Sequence, residues 1–213
     1  PILYGIQDIQ ELNSLFTSIA YNSGNEFSLD ELSQTSGVAK NTIKKYITYL
    51  EAAFLIKIVY RVDFSAKKFK RANFFKVYLT NPSLRSALFS PIKKNDNAIG
   101  NMVETAIYSQ WQHVENIPLY YARWKNGEVD IVCINNEQKP QWIVEIKWTN
   151  RYAENPKELV NVRKFCHQNN LKEASVTSID IEEVVKSDNV KFKFKPASLY
   201  CYAVGRALLL KKI

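Results

Sequence analysis

An Asp, a Glu and a Lys stand where charge is costly. Asp130 interrupts the apolar run Glu128-Val-Asp-Ile-Val-Cys-Ile134, and Glu145 and Lys147 interrupt Gln141-Trp-Ile-Val-Glu-Ile-Lys-Trp148. Both runs read as strands, and alternation puts Glu145 and Lys147 on one face with Val144, Ile146 and Trp148 on the other. A buried carboxylate is unfavourable by several kcal/mol unless it is paired or bound to a metal. If the two strands are neighbours in a hairpin, Asp130 lies beside Glu145, and the two anions repel unless a cation lies between them.

That arrangement suits Mg²⁺, a hard cation that takes carboxylate, carbonyl and water oxygens in octahedral geometry. Asp130 and Glu145 are then the metal ligands, with their carboxylates roughly 4–5 Å apart at Mg–O distances. A cation held there polarises a phosphate and lowers the pKa of an attacking water. Lys147 is placed to orient that water or to offset phosphate charge. Glu104, on a preceding helix that opens at Gly100, is the accessory acid, expected to face the pair. The spacing D-x14-E-x-K is common in charged sequences, and Glu137-Gln-Lys139 repeats its E-x-K part within a polar turn. Strand context selects Glu145 and Lys147. A buried Asp/Glu/Lys ion-pair cluster without metal is the structural alternative.

The elements that would position these groups follow from periodicity. Gly100-Asn-Met-Val-Glu104 opens a helix with Val103, Ile107, Trp111 and Val114 inward. A strand at Leu119–Arg123 leads through the Asn126-Gly127 turn to the Asp130 strand, and a polar turn from Asn135 to Pro140 leads to the Glu145 strand. A helix with Leu159, Val162, Phe165 and Cys166 inward follows, then a strand at Ala174–Ile179. The order α-β-β-β-α-β is a mixed α/β (α+β) layer structure.

The N-terminal part has another period. Asp8 to Tyr21 reads as a helix, Ser28-Leu-Asp-Glu31 as a capping box, and Gly37 as the turn into a further helix with Ile43, Tyr46, Ile47, Leu50 and Ala53 along one stripe. Lys40, Asn41, Lys44 and Lys45 head that helix, where a helix-turn-helix puts its DNA-contacting residues. Phe54–Val62 and Lys76–Thr80 then read as two strands. The hairpin between them carries Lys67, Lys68, Lys70, Arg71 and Lys76 and forms a basic wing. No Arg heads the recognition helix for bidentate guanine reading, so contacts to DNA would be mostly to phosphate. Partner docking is the alternative use of such a module.

Composition agrees with two modules, 1–95 and 96–213. The chain has 213 residues, 46% of them apolar, enough for packed cores. Its net charge is +8, of which residues 1–95 hold 13 Lys/Arg against 7 Asp/Glu. That asymmetry places polyanion binding on the first module. No apolar run approaches the roughly 20 residues of a membrane span. Cys133, Cys166 and Cys201 lie singly among apolar residues, as free thiols do in a reducing compartment, so a cytoplasmic location is expected.

An ordered set of segments carries a family resemblance. Leu29-Asp-Glu-Leu32, Thr42-Ile-Lys-Lys-Tyr46, Leu50-Glu51 and Phe54-Leu-Ile56 resemble the winged-helix segment that follows the AAA+ module of many bacterial and archaeal ATPases. Lys76-Val-Tyr-Leu-Thr-Asn81, Gly100 with Glu104, Tyr120-Tyr121, Glu128-Val-Asp130, Glu145-Ile-Lys147 and Lys195-Pro196-Ala197 continue the likeness over nearly the whole chain. Asn81 departs from it, since the family often has an acid there. The resemblance implies a domain of unknown function with a PD-(D/E)XK, restriction-endonuclease-like core, and an ATPase domain upstream in the full-length protein. No Gly here is followed by Lys, so the chain lacks the G-x-x-x-x-G-K-[ST] phosphate loop and is not expected to bind or hydrolyse ATP. Its start at Pro1, with Met102 the only methionine, is what a C-terminal fragment would show. The expected function is DNA binding by the winged helix joined to a Mg²⁺-dependent nuclease-like domain. The alternative is a catalytically silent regulatory or docking module that keeps the nuclease fold.

Overall fold

The structure, a computed structural model, describes residues 8–69, 74–93, 96, 98–114 and 117–210. The chain is α+β, with helices and a mixture of parallel and antiparallel strands. It divides into two compact units, Pro1–Val59 with Asn73–Ser109, and Tyr60–Ala72 with Gln110–Ile213. This partition differs from 1–95 and 96–213: the stretch expected as a wing groups with the second unit, and most of the Glu104 helix with the first.

In the first unit, helix α1 (Ile9–Tyr21) starts where the Asp8 carboxylate accepts the amides of Gln10 and Glu11. Strand β1 (Glu26–Ser28) follows, and Ser28 caps helix α2 (Leu29–Ser36) by accepting the Glu31 amide at 3.1 Å. Gly37 ends α2 at φ +71°, a left-handed conformation that glycine adopts without a Cβ clash, and its amide closes on Ser33. Helix α3 (Lys40–Ala52) begins three residues later. The first part of β2 (Ile56–Val62), strand β3 (Phe74–Leu79), helix α4 (Ser83–Leu88) and most of α5 (Ile99–Trp111) complete the unit. Leu15, Ile19, Leu32, Ile43, Leu50, Ile56 and Val77 form its core.

Two expected details change here. The strand after α3 begins at Ile56, because Phe54 takes a left-handed turn (φ +56°) and is 82% exposed. Strand β1, which is not evident from the sequence, pairs antiparallel with β3.

In the second unit the strand order runs from the end of β2 through β4 (Leu119–Trp124), β5 (Gly127–Ile134), β6 (Pro140–Glu145), β7 (Glu173–Ser178) and β9 (Val190–Pro196) to β8 (Glu183–Ser187). Strands β4, β5 and β6 form an antiparallel meander. Strand β7 returns parallel to β6 after helix α6 (Arg151–Glu154), a 3-10 turn at Pro156–Glu158 and helix α7 (Val160–Gln168). Val162, Phe165 and Cys166 of α7 pack with Val129, Val132, Ile143 and Val176 of the sheet. The β8–β9 hairpin and helix α8 (Ala197–Leu209) add elements that the sequence reading lacks.

Candidate functional site

Strand β6 ends sooner than expected, and the reason builds the site. The sequence reading carries it to Trp148, whereas the ladder stops at Glu145. The next two amides are taken by side chains: Ile146 N donates to Asp130 Oδ2 at 2.7 Å, and Lys147 N donates to Thr177 Oγ1 at 2.7 Å. The chain therefore leaves the sheet between β5 and β7 with its backbone polar groups satisfied, as a buried segment requires. The β5–β6 register, Val132↔Ile143 and Ile131↔Val144, continued by one residue sets Asp130 across from Glu145. A register irregularity in the β4–β5 pairing, between Tyr120 and Ala122, falls opposite this stretch of β5.

Three of the four proposed chemical residues thus come together. Asp130 and Glu145 are 8% and 7% exposed, so neither relies on water. Glu145 Oε1 forms an ion pair with Lys147 Nζ at 2.7 Å, while Glu145 Oε2 is buried without a hydrogen-bond partner. Burial pushes the Glu145 carboxyl up to about 8, the neighbouring Asp130 adds to the rise, and Lys147 opposes it. Burial pulls the Lys147 ammonium down, but the Glu145 and Asp130 charges outweigh it and its pKa is raised. The Lys147 ammonium also lies 5.8 Å from the centre of the Tyr152 ring.

Glu104 belongs to the first unit, and its partners there are strong. Lys76 Nζ lies 2.9 Å from Glu104 Oε1, and the Tyr78 hydroxyl donates to the same oxygen at 2.5 Å. Lys76 is 4% exposed, so it is a buried counter-ion and not a cation of the wing. The buried face of α5 holds Glu104, Thr105, Ile107, Tyr108 and Ser109, where the sequence reading places Val103, Ile107, Trp111 and Val114. Thr105 and Ser23 share a hydrogen bond at 2.9 Å on that face, and Ser23 also accepts the Leu79 amide.

The proposed DNA-contacting residues are of two kinds. Lys40, Asn41, Lys44 and Lys45 are exposed on the first turns of α3, and Lys40 forms an ion pair with Asp30 of α2. Lys67 and Lys68 are exposed in the second unit, where the connection after β2 folds back: Val62 bridges to Lys68, and Ala66 is buried in the core. The Lys68 ammonium lies 4.8 Å from the Tyr120 ring centre. Lys70 and Arg71 lie outside the described residues.

Sequence reasoning missed Thr177. It is fully buried at the end of β7, and besides accepting the Lys147 amide its hydroxyl donates to the Lys147 carbonyl at 2.9 Å. A lone Thr in Ala174-Ser-Val-Thr-Ser-Ile179 gives no signal by type, since Thr is an ordinary strand residue.

Two carboxylates and a lysine converging at the end of a buried strand can hold a cation and a water beside a phosphate. Among the described residues no group of three or more His, Cys, Asp or Glu side chains is placed to hold a metal ion. Among the described residues no helix is long and apolar enough to cross a membrane, and the three cysteines are free thiols.

A family model described as a domain of unknown function (DUF8612) matches residues 2–96. That match covers α1 to α4 and ends before Glu104, Asp130, Glu145 and Lys147. No curated protein and no solved structure matches the chain.

Proposed function

We propose that the second unit is a nuclease-like domain of the PD-(D/E)XK type, in which Asp130 and Glu145 hold Mg²⁺ for cleavage of DNA phosphodiesters. The observation that carries this reading is the Glu145 carboxylate. Its Oε2 is buried with no hydrogen-bond partner, next to a second carboxylate, and an unsatisfied buried carboxyl oxygen costs free energy that a bound cation would recover. Two carboxylates fit Mg²⁺, which keeps several waters and needs few protein ligands. The cation would supply Lewis-acid polarisation of the phosphate and a more acidic water.

The chain's own residues do the rest. The Ile146 amide orients Asp130, and Thr177 fixes the backbone from which Lys147 reaches Glu145. The Lys147 ammonium offsets charge on the attacked phosphate or aligns the water. The exposed lysines of α3, with Asn41, and the lysines after β2 would hold the DNA backbone, and an AAA+ ATPase domain upstream would bring the substrate. This chain would not bind ATP. The cytoplasm is the compartment that its free thiols suit.

A second reading has its own support. The Glu145–Lys147 pair already neutralises one carboxylate, which is what a silent module with a nuclease fold would keep. Calorimetry with Mn²⁺ and Mg²⁺ separates the two. Saturable binding by the wild-type chain that is lost in Asp130→Ala and Glu145→Gln supports the metal site. No binding by wild type at millimolar metal transfers the conclusion to the silent module. Cleavage of plasmid or single-stranded DNA by the chain alone is expected to be weak or undetectable, because near-attack positioning would come from the upstream motor.

A further inference from the structure

We infer that Thr177 is the positioning residue for Lys147, holding by both its hydroxyl bonds the backbone of the cation that pairs with Glu145. For its role in catalysis the inference rests on the metal-site reading, but the clamp itself stands on geometry. Lys147 lies two residues past the end of β6, where no ladder partner fixes its backbone. Thr177 replaces that partner: its Oγ1 accepts the Lys147 amide at 2.7 Å and donates to the Lys147 carbonyl at 2.9 Å. One hydroxyl thus engages the backbone N–H and C=O of the same residue, which restrains both peptide planes flanking Lys147.

The clamp is itself immobilised. Thr177 is fully buried, and its strand is held on one side by β6, through Glu145↔Val176, and on the other by β9, through Thr177↔Lys195. The β-branched side chain has restricted χ1 freedom, so its hydroxyl direction is set by the strand. The ammonium then has one short reach, to Glu145 Oε1 at 2.7 Å. A site group works only when its support holds it to within about half an ångström, and loss of such a support commonly lowers metal affinity or activity by about 10–100-fold.

The experiment uses the whole chain. Thr177→Val keeps the shape and removes both hydrogen bonds; Thr177→Ser keeps both; Thr177→Cys is the fallback should the valine variant fail to fold. Amide exchange and the ¹³C chemical shift of the dimethylated lysines at one fixed pH, with Lys147 assigned through Lys147→Arg, report the two ends of the residue. In Thr177→Val the Lys147 amide is expected to exchange at least about tenfold faster, as the loss of one buried hydrogen bond implies. The Lys147 methyl shift should move toward that of the solvent-exposed lysines, and Thr177→Ser should restore both. A purely structural Thr177 would loosen β7 as a whole and leave the Lys147 methyl shift in place. That result, or a Lys147 amide and methyl shift unchanged from wild type, overturns the inference. Mn²⁺ calorimetry on wild type judges the metal reading separately: absence of binding defeats that reading, while the two Lys147 measurements still decide Thr177.

Discussion

The Lys76 ammonium and the Glu104 carboxylate meet at 2.9 Å with both side chains almost wholly withdrawn from water, and Tyr78 donates to the same oxygen. Strand β3 and helix α5 are joined there by a charged pair where an apolar contact would be usual. Removing one partner leaves a buried charge, so Glu104→Leu and Lys76→Met should each lower stability by about 3–5 kcal/mol. Lys76→Met with Glu104→Leu should cost much less than the sum of the two. Urea melts of the four proteins form the double-mutant cycle, and strict additivity would show that the pair does not couple.

The same two residues show what the sequence holds and what it hides. Lys76 sits near a run of lysines and reads as one more cation of a wing, because one-dimensional spacing does not show that β3 is buried on both faces. Glu104 is legible as an unusual acid on an apolar helix, but its partners come from a strand 26 and 28 residues away. Asp130, Glu145 and Lys147 were legible because each interrupts an apolar run. Gly37 and Ser28 were legible because caps and left-handed turns are local chemistry. Thr177 was not, since its role exists only where β6 stops. The β8–β9 hairpin hides for another reason: Glu183–Ser187 is an edge strand with three of its five residues exposed and no long apolar run.

Glu145 makes stability depend on pH in a definite direction. Its carboxyl is raised to about 8 in the folded chain, against about 4.3 when unfolded. Between those values the folded state holds the extra proton, so stability is highest below the lower value and falls as pH rises through the upper one. The metal-free wild type should therefore lose up to a few kcal/mol from about pH 5 to about pH 8 at ~1.4 kcal/mol per pKa unit. Glu145→Gln should flatten that decline. Urea melts across the range check it, and parallel curves for the two proteins would show that Glu145 ionises normally.

Gly127 opens β5 opposite Trp124, which closes the two-residue turn Lys125-Asn126. A Cβ at Gly127 would run into the Trp124 indole and approach Asn161 Cγ to 2.8 Å. Gly127→Ala should destabilise by about 1–3 kcal/mol, the usual range for overpacking. In a Trp124→Leu background, where the ring is gone, the same change should cost less. Thermal melts of the four combinations decide it.

Proposed DNA binding can be assigned to surfaces by its salt dependence. Each phosphate neutralised by a lysine releases counterions, and the slope of log K against log salt changes by about 0.9 per contact for duplex DNA. Lys44 and Lys45 are exposed on α3, whereas Lys40 already has Asp30 beside it. Lys44→Ala with Lys45→Ala should therefore reduce the slope by about 2, in units of that per-contact change, and weaken binding equally for unrelated sequences. Lys40→Ala alone should change the slope less, because its charge is partly spent on Asp30. Lys67→Ala with Lys68→Ala tests the second unit in the same way, and there the expected loss is smaller because the Lys68 ammonium lies against Tyr120. Fluorescence anisotropy with labelled duplex and single strands, from low to physiological salt, gives all the slopes. If the α3 pair leaves the slope unchanged while the Lys67/Lys68 pair lowers it, the DNA surface lies on the second unit; if wild type binds no DNA at low salt, the helices of the first unit serve to dock a protein.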